Sequence, residues 1–485
     1  MLVVPGVRVA CPAPRWRVGR RRPAARGRGR WTMELTSTAE RRSTRSVTFT
    51  GAGERTGAMT WGQASIYSSI RWLGDDASYF NLVRVVDVPA GVDEGTVLGA
   101  VQHLLVRHEG LRSLFHETPE GWTQHVRPQG ELTVHVADAD GAADTAAARA
   151  FASELAGHTF RHDVELPLSV GVLRDHGRAT HVVVAASHLA VDGWAADLVA
   201  QDLRRLLAGE VADAPTWQPL DQAAHEAGEA GAARGEAALA YWRRTLAAAP
   251  RPLFPPADPA PAPGRFVRLA LESRALAVAA TLVSTRCAVS TGTVLLAAAS
   301  VVLGRLVGQD RVVLQLIASN RLDERSRSLV APLAENALFA IDVSGADAPG
   351  GFATTARRAF ASGLNAYRHA QYDPRARDEL VAQERARDAD LDLGCFFNDM
   401  RIGRDWGVDV DAYPDVDAVR ALRDGTRVRH VGSWDRQDAT CFVGVDDADG
   451  ACVLYLMADT ALVPEPRVEA LLREMESVVV EAVAP

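Results

Sequence analysis

The chain has 485 residues, 47% of them hydrophobic and 24% charged, which is enough for two or three ordinary globular domains. Its net charge of −8 hides an asymmetry, because residues 1–46 carry 12 arginines against two glutamates, whereas the remainder is strongly acidic. An acidic body argues against nucleic acid as a partner. No apolar run approaches the ~20 residues that a membrane-spanning helix needs, so we expect a cytoplasmic protein with no membrane partner.

The cysteines give no sign of a disulfide framework or a zinc site. Five of them are scattered along the chain without CxxC spacing. This pattern is typical of reduced thiols inside the cell. We therefore expect no bound metal and no permanently bound cofactor.

Residues 1–45 are predicted to be a disordered, arginine-rich extension. They are rich in Arg, Pro and Gly and show no sustained apolar period, so they cannot bury enough surface to offset the entropy of ordering. The apolar residues at positions 2–4 precede the basic cluster, which is the reverse of a signal peptide. Two alternatives stay open: an arm that binds nucleic acid, and a start-site artefact in which translation begins at Met33.

Strand and helix patterns alternate from residue 46 to residue 250 and predict a first mixed α/β lobe. Apolar and alternating runs predict strands at 46–50, 80–88, 132–136, 168–173 and 180–186, with a hairpin at 114–126. Apolar residues at helical spacing predict helices at 59–72, 92–107, 143–156 and 195–207.

Residues 251–264 are predicted to be a proline-rich linker between two lobes. Seven prolines lie between residues 249 and 264, and they exclude regular structure there. A second lobe, residues 265–483, follows with its own alternation of patterns. Its predicted strands are 266–271, 311–319, 337–343, 441–445 and 453–458, and its predicted helices are 273–285, 291–306, 352–367 and 466–480.

The stretch that most indicates a catalytic site is SHLAVDGW, residues 187–194, which follows the apolar run 181–186. It sets His188 at the end of a predicted strand, where the imidazole can accept a proton from an attacking amine or hydroxyl. Asp192 can hold the turn through a charged partner, and Gly193 can adopt backbone torsions that other residues resist. The alternative interpretation is a core histidine with no catalytic task.

Five segments in chain order resemble the motifs of condensation domains from nonribosomal peptide synthetases. RHEGLRSLF at 107–115 is similar to the family's RHExLRTxF, and ASHLAVDGW at 186–194 is similar to its active-site motif HHxxxDGW, with Ser187 in place of the first histidine. The other three segments resemble the family more loosely: MTWGQASIY at 59–67, VAPLAEN at 330–336 (VGxFVN) and YRHAQYDP at 367–374 (HQxYPFE).

The resemblance implies an α/β (α+β) fold with two chloramphenicol acetyltransferase-like lobes, arranged as a V-shaped pseudo-dimer around a tunnel. It implies that His188 is the active-site histidine, midway along that tunnel. By the same resemblance Asp192 is structural and pairs with Arg112, Gly193 leaves room at the tunnel wall, and Ser187 holds a mainly structural position. Three further residues are candidates for the tunnel wall: Trp194, Asn336 and Asn398.

The resemblance further implies a free-standing condensation enzyme of specialised-metabolite and antibiotic biosynthesis. It would join a thioester-activated acyl or aminoacyl group to a small-molecule amine or alcohol. The donor would ride on the phosphopantetheine arm of an acyl or peptidyl carrier protein. Because the sequence has no carrier-attachment or adenylation motif, we expect that carrier to act in trans.

Two other functions stay open at the level of sequence. A coenzyme A-dependent acyltransferase of the same fold would share the single-histidine HxxxDG, but its DFGWG motif is absent here and the RHExLR segment is present. A degenerate, non-catalytic binding or scaffold protein would account for Ser187. The donor, the acceptor and the choice between amide and ester do not follow from the sequence.

Removal of residues 1–32 should leave the folded body unchanged. A chain that begins at Met33 should keep the melting temperature of the full chain, because the removed residues contribute no apolar core. Differential scanning calorimetry of the two purified proteins measures this. A drop of several degrees would show that the extension packs on the body.

Overall fold

The structure is a computed structural model that describes residues 41–118, 121–139, 145–210, 215–248, 253–254, 262–388, 390–391, 393–401, 406–413 and 415–484. The predicted extension up to residue 40 and most of the predicted linker 251–264 lie outside the described residues. The predicted boundary at residue 45 is wrong. Residues 41–45 form the first half of a strand, Arg41–Thr50, which pairs with the strand Gln129–Asp138.

The first lobe is built on two sheets in the described part of the chain. Its strands are β1 (Arg41–Thr50), β2 (Arg55–Ala58), β3 (Leu82–Asp87), β4 (Ser113–Thr118), β5 (Gly121–Val126), β6 (Gln129–Asp138), β7 (Leu168–Asp175) and β8 (Arg178–Ala186). The order β1-β6-β7-β8-β3 makes a five-stranded sheet, and β2-β5-β4 makes a three-stranded one. Neighbouring strands are antiparallel except β6 and β7, which run parallel.

Helices cover both faces of the five-stranded sheet. In the first lobe they are α1 (Trp61–Leu73), α2 (Glu94–Arg107), α3 (Thr145–Ala156), α4 (Gly193–Leu207), α5 (Pro219–Ala227) and α6 (Glu229–Ala247), with 3-10 turns at Gly74–Phe80 and Glu109–Arg112. Successive side chains of a strand point to opposite faces. In β8, Val182 and Val184 enter a core with α2 and α4, whereas Val183 and Ala185 enter a core with α3. The predicted apolar run is therefore a central strand covered on both sides.

The second lobe is built on one large sheet in the described residues. Its strands are β9 (Phe266–Ser273), β10 (Arg311–Ala318), β11 (Glu335–Asp342), β12 (Cys395–Asp399), β13 (Arg427–Trp434), β14 (Cys441–Ala448) and β15 (Ala451–Asp459). They form a seven-stranded sheet in the order β11-β10-β12-β14-β15-β9-β13, with β12 parallel to both neighbours. The helices are α7 (Arg274–Cys287), α8 (Thr291–Val307), α9 (Glu324–Ser328), α10 (Gly351–Arg368), α11 (Pro374–Arg387), α12 (Val416–Ala421) and α13 (Glu465–Glu481), with 3-10 turns at Val410–Ala412 and Leu422–Gly425.

Hydropathy gives one result on membranes. No single helix in the described ranges is long and apolar enough to cross a bilayer, and only the bent pair α7–α8, with 103° between its members, passes the length and composition test together.

All the predicted strands and helices are present, and the structure adds others. The unpredicted elements are β2, β12, β13, α5, α6, α9, α11 and α12. Strand β13 has a single buried residue and lies at the edge of its sheet, and α11 is polar on most of its surface. These two elements bury little apolar surface and leave a weak periodic pattern, which explains why the sequence did not indicate them.

Helix α6 precedes the linker in sequence but packs against the second lobe. Trp242 and Tyr241 share a core with Leu338 of β11 and with Tyr372. The Tyr241 hydroxyl also donates to the carbonyl oxygen of Leu338 at 2.8 Å. Packing therefore joins α6 to the second lobe, although the sequence pattern groups it with the first.

A short piece of the second lobe, residues 329–333, lies against the first lobe, and we call it the interlobe segment. Its Val330 belongs to the core of the first lobe. A Cβ atom on Gly110 would lie 2.5 Å from the carbonyl oxygen of Val330, and one on Gly62 would lie 2.5 Å from that of Pro332. Glycine is required at both positions because the backbone of the interlobe segment leaves no space for a side chain.

The variant Gly62→Ala should destabilise the protein by about 1–3 kcal/mol, because the new methyl group meets the carbonyl oxygen of Pro332. Gly99→Ala is a matched control in α2, where a Cβ atom would meet nothing within 4 Å. Alanine is favoured over glycine inside a helix by roughly 0.5–1 kcal/mol, so the control should be neutral or stabilising. Urea unfolding measures both, and equal effects would contradict the close approach at Gly62.

Candidate active site

Residues 187–192 link the end of β8 to the start of α4, and we call them the site loop. Backbone hydrogen bonds fix its beginning: Ser187 N–H donates to the carbonyl oxygen of Pro167 at 3.0 Å. Its end is fixed by Asp192, whose carboxylate accepts a hydrogen bond from Ala195 N–H at 2.8 Å and so caps α4. A strand end and a helix start therefore hold the loop from both sides.

His188 lies in this loop between two buried neighbours and is itself half-buried. Its Nδ1 atom is buried and has no hydrogen-bond partner among the described residues. The Phe80 ring meets the imidazole edge to face, with 6.3 Å between ring centroids. Burial lowers the pKa of His188, and nearby backbone groups and the Asp192 charge oppose this shift only in part. The imidazole is therefore neutral near pH 7 and able to accept a proton.

Asp192 forms a buried ion pair with Arg321 of the second lobe. The Nη2 atom of Arg321 lies 2.8 Å from Oδ1 and 2.9 Å from Oδ2 of Asp192, and both side chains are almost inaccessible to solvent. Leu333 N–H also donates to Oδ2, at 2.9 Å. Burial alone would raise the pKa of Asp192, but Arg321 and the backbone N–H groups of Leu333 and Ala195 outweigh it. The pKa of Asp192 therefore lies below its usual value, and the carboxylate stays charged.

The Arg321 side chain also binds backbone carbonyl groups of the interlobe segment and of helix α9 just before it. Its Nη1 atom donates to the carbonyl oxygens of Ser326 and Leu329, and its Nη2 atom donates to that of Ala331, each at 2.6 Å. Arginine suits this position because its planar guanidinium offers several donors in fixed directions. Arg321 thus fastens the site loop of the first lobe to the interlobe segment of the second.

The predicted pairing of Asp192 with Arg112 is wrong. Arg112 is buried, but its Nη1 atom donates to the carbonyl oxygen of Arg127 at 2.6 Å and its Nη2 atom lies 3.7 Å from Glu109. A Cβ atom on Gly51 would lie 2.6 Å from the Arg112 Cζ atom, so the guanidinium packs directly on that glycine. Arg112 therefore supports the interior of the first lobe, and the partner of Asp192 comes from the second.

The beginning of the RHEGLRSLF segment supports the helix that follows the site loop. Arg107 Nε and His108 Nε2 both lie 2.8 Å from Oδ2 of Asp202 on α4. Glu109 lies 3.0 Å from Nη1 of Arg55. Helix α2 ends at Arg107. The segment is thus a helix end whose charged side chains make structural contacts.

Ser187 stands where the family motif has its first histidine, and a histidine from another segment contacts it. His162 Nε2 lies 2.7 Å from Ser187 Oγ, and the same oxygen accepts a hydrogen bond from Leu189 N–H at 3.2 Å. Burial lowers the pKa of His162 to about 4, so this imidazole is neutral at pH 7. Sequence reasoning missed His162, because it lies 25 residues before Ser187 and belongs to no motif.

Gly193 and Trp194 are the first two residues of α4. Gly193 is not among the described glycines with positive φ, so its wider range of torsions is not used here, and its role in leaving room at the tunnel wall stays a prediction. Its carbonyl oxygen accepts a hydrogen bond from Arg84 Nη2 at 3.0 Å. The Trp194 indole donates to the carbonyl oxygen of Arg327 in α9 at 2.9 Å and so joins the two lobes. Its role in a tunnel wall stays a prediction.

The two candidate asparagines lie on strands that flank β10. Asn336 is the second residue of β11 and Asn398 lies in β12, and both residues are half-buried. The Tyr372 hydroxyl fixes the backbone at Asn336 by donating to its carbonyl oxygen at 2.6 Å. Contact of either asparagine with a substrate stays a prediction.

No group of three or more His, Cys, Asp or Glu that could hold a metal ion occurs among the described residues. The cysteines that the structure describes are free and buried: Cys287, Cys395, Cys441 and Cys452. The site built above consists of an imidazole on a fixed loop and of the ion pair that fastens this loop across the lobes.

A family model described as Condensation domain matches residues 66–373, which is more than half of the chain. The chain therefore belongs to the condensation-domain family, whose members transfer acyl groups in nonribosomal peptide synthesis. Among curated relatives, N-(5-amino-5-carboxypentanoyl)-L-cysteinyl-D-valine synthase of Penicillium rubens is 29% identical over 135 residues, which is 27% of this chain and 4% of that protein. Malpinin synthetase of Mortierella alpina is 24% identical over 305 residues, which is 60% of this chain and 4% of that protein. The chain thus spans a small fraction of the length of these relatives.

Solved structures share the fold. The condensation domain that mediates chain release from the enacyloxin polyketide synthase is 20% identical, with a TM-score of 0.67 over 87% of this chain and 82% of that one. The SgcC5 protein from Streptomyces globisporus, in complex with (R)-(-)-1-(2-naphthyl)-1,2-ethanediol and sucrose, is 17% identical, with a TM-score of 0.66 over 88% of this chain and 100% of that one. The first condensation domain of the calcium-dependent antibiotic synthetase is 14% identical, with a TM-score of 0.65 over 89% and 96%. These likenesses confirm the predicted chloramphenicol acetyltransferase-like α/β fold.

The variant Arg321→Met should lower the free energy of unfolding by about 3–5 kcal/mol, because it leaves Asp192 as an unpaired buried charge. The double variant Arg321→Met/Asp192→Asn should lose less than the sum of the two single losses, because it removes both charges. Urea unfolding of the four proteins measures the coupling. Strictly additive losses would show that the two side chains do not interact.

Arg71→Ala is the control for that experiment. It breaks a pair with Glu117 in which the side chains are 54% and 58% exposed, so it should cost at most about 1 kcal/mol.

The pH dependence of stability should also differ between the parent and Asp192→Asn. Because the folded state lowers the pKa of Asp192, its stabilisation is present above the unfolded pKa and is lost as the pH falls through the folded one. Asp192→Asn should remove that part of the acid sensitivity.

Proposed function

We propose that this protein is a condensation enzyme that joins a thioester-activated acyl or aminoacyl group to an amine or hydroxyl acceptor. The donor rides on the phosphopantetheine arm of a carrier protein. The observation that carries the proposal is the neutral, half-buried imidazole of His188 on a loop held at both ends. Membership of an acyl-transferring family supplies the class of reaction.

The donor is already activated, so the protein has to hold two substrates together and move one proton. In the proposed reaction the acceptor nitrogen or oxygen attacks the thioester carbonyl carbon and forms a C–N or C–O bond. His188 takes the proton of the acceptor. The C–S bond then breaks, and the proton passes to the departing sulfur, which leaves as the thiol of the phosphopantetheine arm. A positioned base of this kind contributes about 10²–10⁴-fold to the rate.

The lowered pKa of His188 suits this task. It keeps the imidazole unprotonated through the neutral range, so the base form is available whenever a neutral acceptor arrives. Because the pKa of His188 is lowered and its neutral form is the active base, activity should fall as the pH drops through the folded pKa of His188. It should not fall as the pH rises above that pKa.

We propose that donor and acceptor approach His188 from different sides, as a construction of two lobes would allow. Holding two reactants in one geometry removes a large part of the entropic barrier of a bimolecular reaction. We propose that the approach runs through a tunnel between the lobes. Trp194, Asn336 and Asn398 are our candidates for its walls.

A coenzyme A-dependent acyltransferase is the second candidate function. The observation in its favour is the single histidine of the site loop, with Ser187 before it. Coenzyme A presents the same phosphopantetheine thiol as a carrier protein, so the chemistry at His188 would be identical.

Hydroxyl groups stay among the candidate acceptors for either donor. The diol bound to the related SgcC5 protein supports this choice.

Intact-mass spectrometry separates the candidates. The purified protein is incubated with an acyl-loaded carrier protein and a panel of amines and alcohols, and in parallel with the matching coenzyme A thioester. Acylated acceptor together with free carrier thiol supports the condensation enzyme. Transfer from coenzyme A alone supports the second candidate, and no transfer from either donor would overturn both in favour of a non-catalytic binding protein.

The variant His188→Ala should reduce turnover in the active pairing on the order of 10²-fold or more, the scale of a lost general base. His103→Ala, an exposed position on α2, is the control and should retain the parental rate. Single-turnover kinetics with loaded donor measure the effect. Equal rates for parent and His188→Ala would remove His188 from the mechanism.

A further inference from the structure

His162 and Ser187 form a contact that the proposed chemistry does not use. Ser187 is 2% exposed and directly precedes His188. Its hydroxyl oxygen lies 2.7 Å from His162 Nε2 and accepts from Leu189 N–H at 3.2 Å. One hydroxyl group therefore connects a distant imidazole to the residues on both sides of His188.

His162 is itself fixed in place. Its carbonyl oxygen accepts a hydrogen bond from Phe115 N–H of β4 at 2.8 Å. Its ring lies among three aromatic rings, with centroids 6.2 Å away for Phe160 and 6.5 Å away for both Phe115 and Tyr67. Because this ring cannot move freely, its Nε2 atom is a fixed point for the Ser187 hydroxyl.

The protonation state and the tautomer of His162 together determine the direction of the hydrogen bond. Burial lowers the pKa of His162 to about 4, although Glu165 and Asp163 act in the opposite direction, so the ring is neutral at pH 7. The Ser187 oxygen already accepts from Leu189 N–H, and its own O–H is available to donate. A neutral His162 accepts from Ser187 O–H in the tautomer that is protonated at Nδ1, and it donates to Ser187 Oγ in the tautomer that is protonated at Nε2; either direction keeps the two side chains in contact.

We infer that His162 and Ser187 act together as positioning residues for His188, in the place that the family motif gives to a first histidine. The inference rests on the proposed function, because it assumes that the His188 imidazole has to meet a substrate in one orientation. Ser187 sets the start of the site loop, as Asp192 sets its end. A catalytic side chain that is misplaced by about 1 Å can lose on the order of 10²-fold in rate.

The test compares Ser187→Ala, His162→Leu, the double variant and His162→Gln. Glutamine places its amide near the position of Nε2, so it should restore the contact that leucine removes. We expect both deleting variants to lose on the order of 10-fold in kcat, with KM unchanged within about two-fold, since binding contacts are retained. The double variant should be no worse than the poorer single variant, and His162→Gln should recover most of the rate.

Ser300→Ala is the matched control. Ser300 is a fully buried serine in α8 of the second lobe, and its hydroxyl donates to the carbonyl oxygen of Leu296 at 2.7 Å. Its removal costs a buried hydrogen bond, as Ser187→Ala does, but far from the site loop. We expect a loss of melting temperature in both serine variants and a loss of kcat in Ser187→Ala alone.

A second readout does not depend on activity. Carbethoxylation of His188 by diethyl pyrocarbonate, followed by peptide mass spectrometry, reports how the ring is held even if no acyl transfer is ever found. We expect His188 to react several-fold faster in Ser187→Ala and His162→Leu than in the parent, and at the parental rate in Ser300→Ala and His162→Gln. Parental kcat and parental modification rates in both deleting variants, or independent additive effects in the double variant, would overturn the inference.

Discussion

The ion pair between Asp192 and Arg321 is the contact on which the rest of the site depends. Two buried charges are stable only when further hydrogen bonds compensate their lost hydration. Here Leu333 N–H and Ala195 N–H donate to the carboxylate, and three carbonyl oxygens of the second lobe accept from the two terminal nitrogens of the guanidinium, whose buried Nε has no partner among the described residues. One charge belongs to Asp192, the last residue of the site loop, and the other comes from the opposite lobe. The loop that carries His188 therefore has its observed geometry only while the two lobes remain together.

Three of the segments that resemble family motifs contact this same junction between the lobes. Thr60, at the start of α1, donates through its hydroxyl to the carbonyl oxygen of Pro332 at 3.2 Å. Gly62 and Gly110 allow the backbone of the interlobe segment to approach, and Asp192 binds its last residue. Three segments that resemble a family signature thus converge on one stretch of the second lobe. Most of their residues build an interface, and His188 is the residue among them that our proposal assigns to the reaction.

The fold was predictable from the sequence to a larger extent than the site. Buried strands such as β8 leave continuous apolar runs, whereas polar edge elements such as β13 do not, so the first were predicted and the second were missed. Arg321 could not be identified because it follows a strand in no recognisable motif, in a chain with 53 arginines and no lysine. The departure at Ser187 was visible, but the residue that compensates for it, His162, becomes its neighbour only through tertiary packing. Long-range pairs of this kind are set by topology, which periodicity does not report.

Because Arg321 joins the site loop to the interlobe segment, the two should respond to a bound substrate as one unit. Hydrogen exchange with a non-hydrolysable acyl-pantetheine analogue tests it most directly, because the amides of residues 187–192 and 329–333 can be followed separately in one sample. The analogue should slow exchange in both segments at the same concentration, and Arg321→Met should abolish this joint response. Protection restricted to the first lobe, with residues 329–333 unchanged, would contradict it.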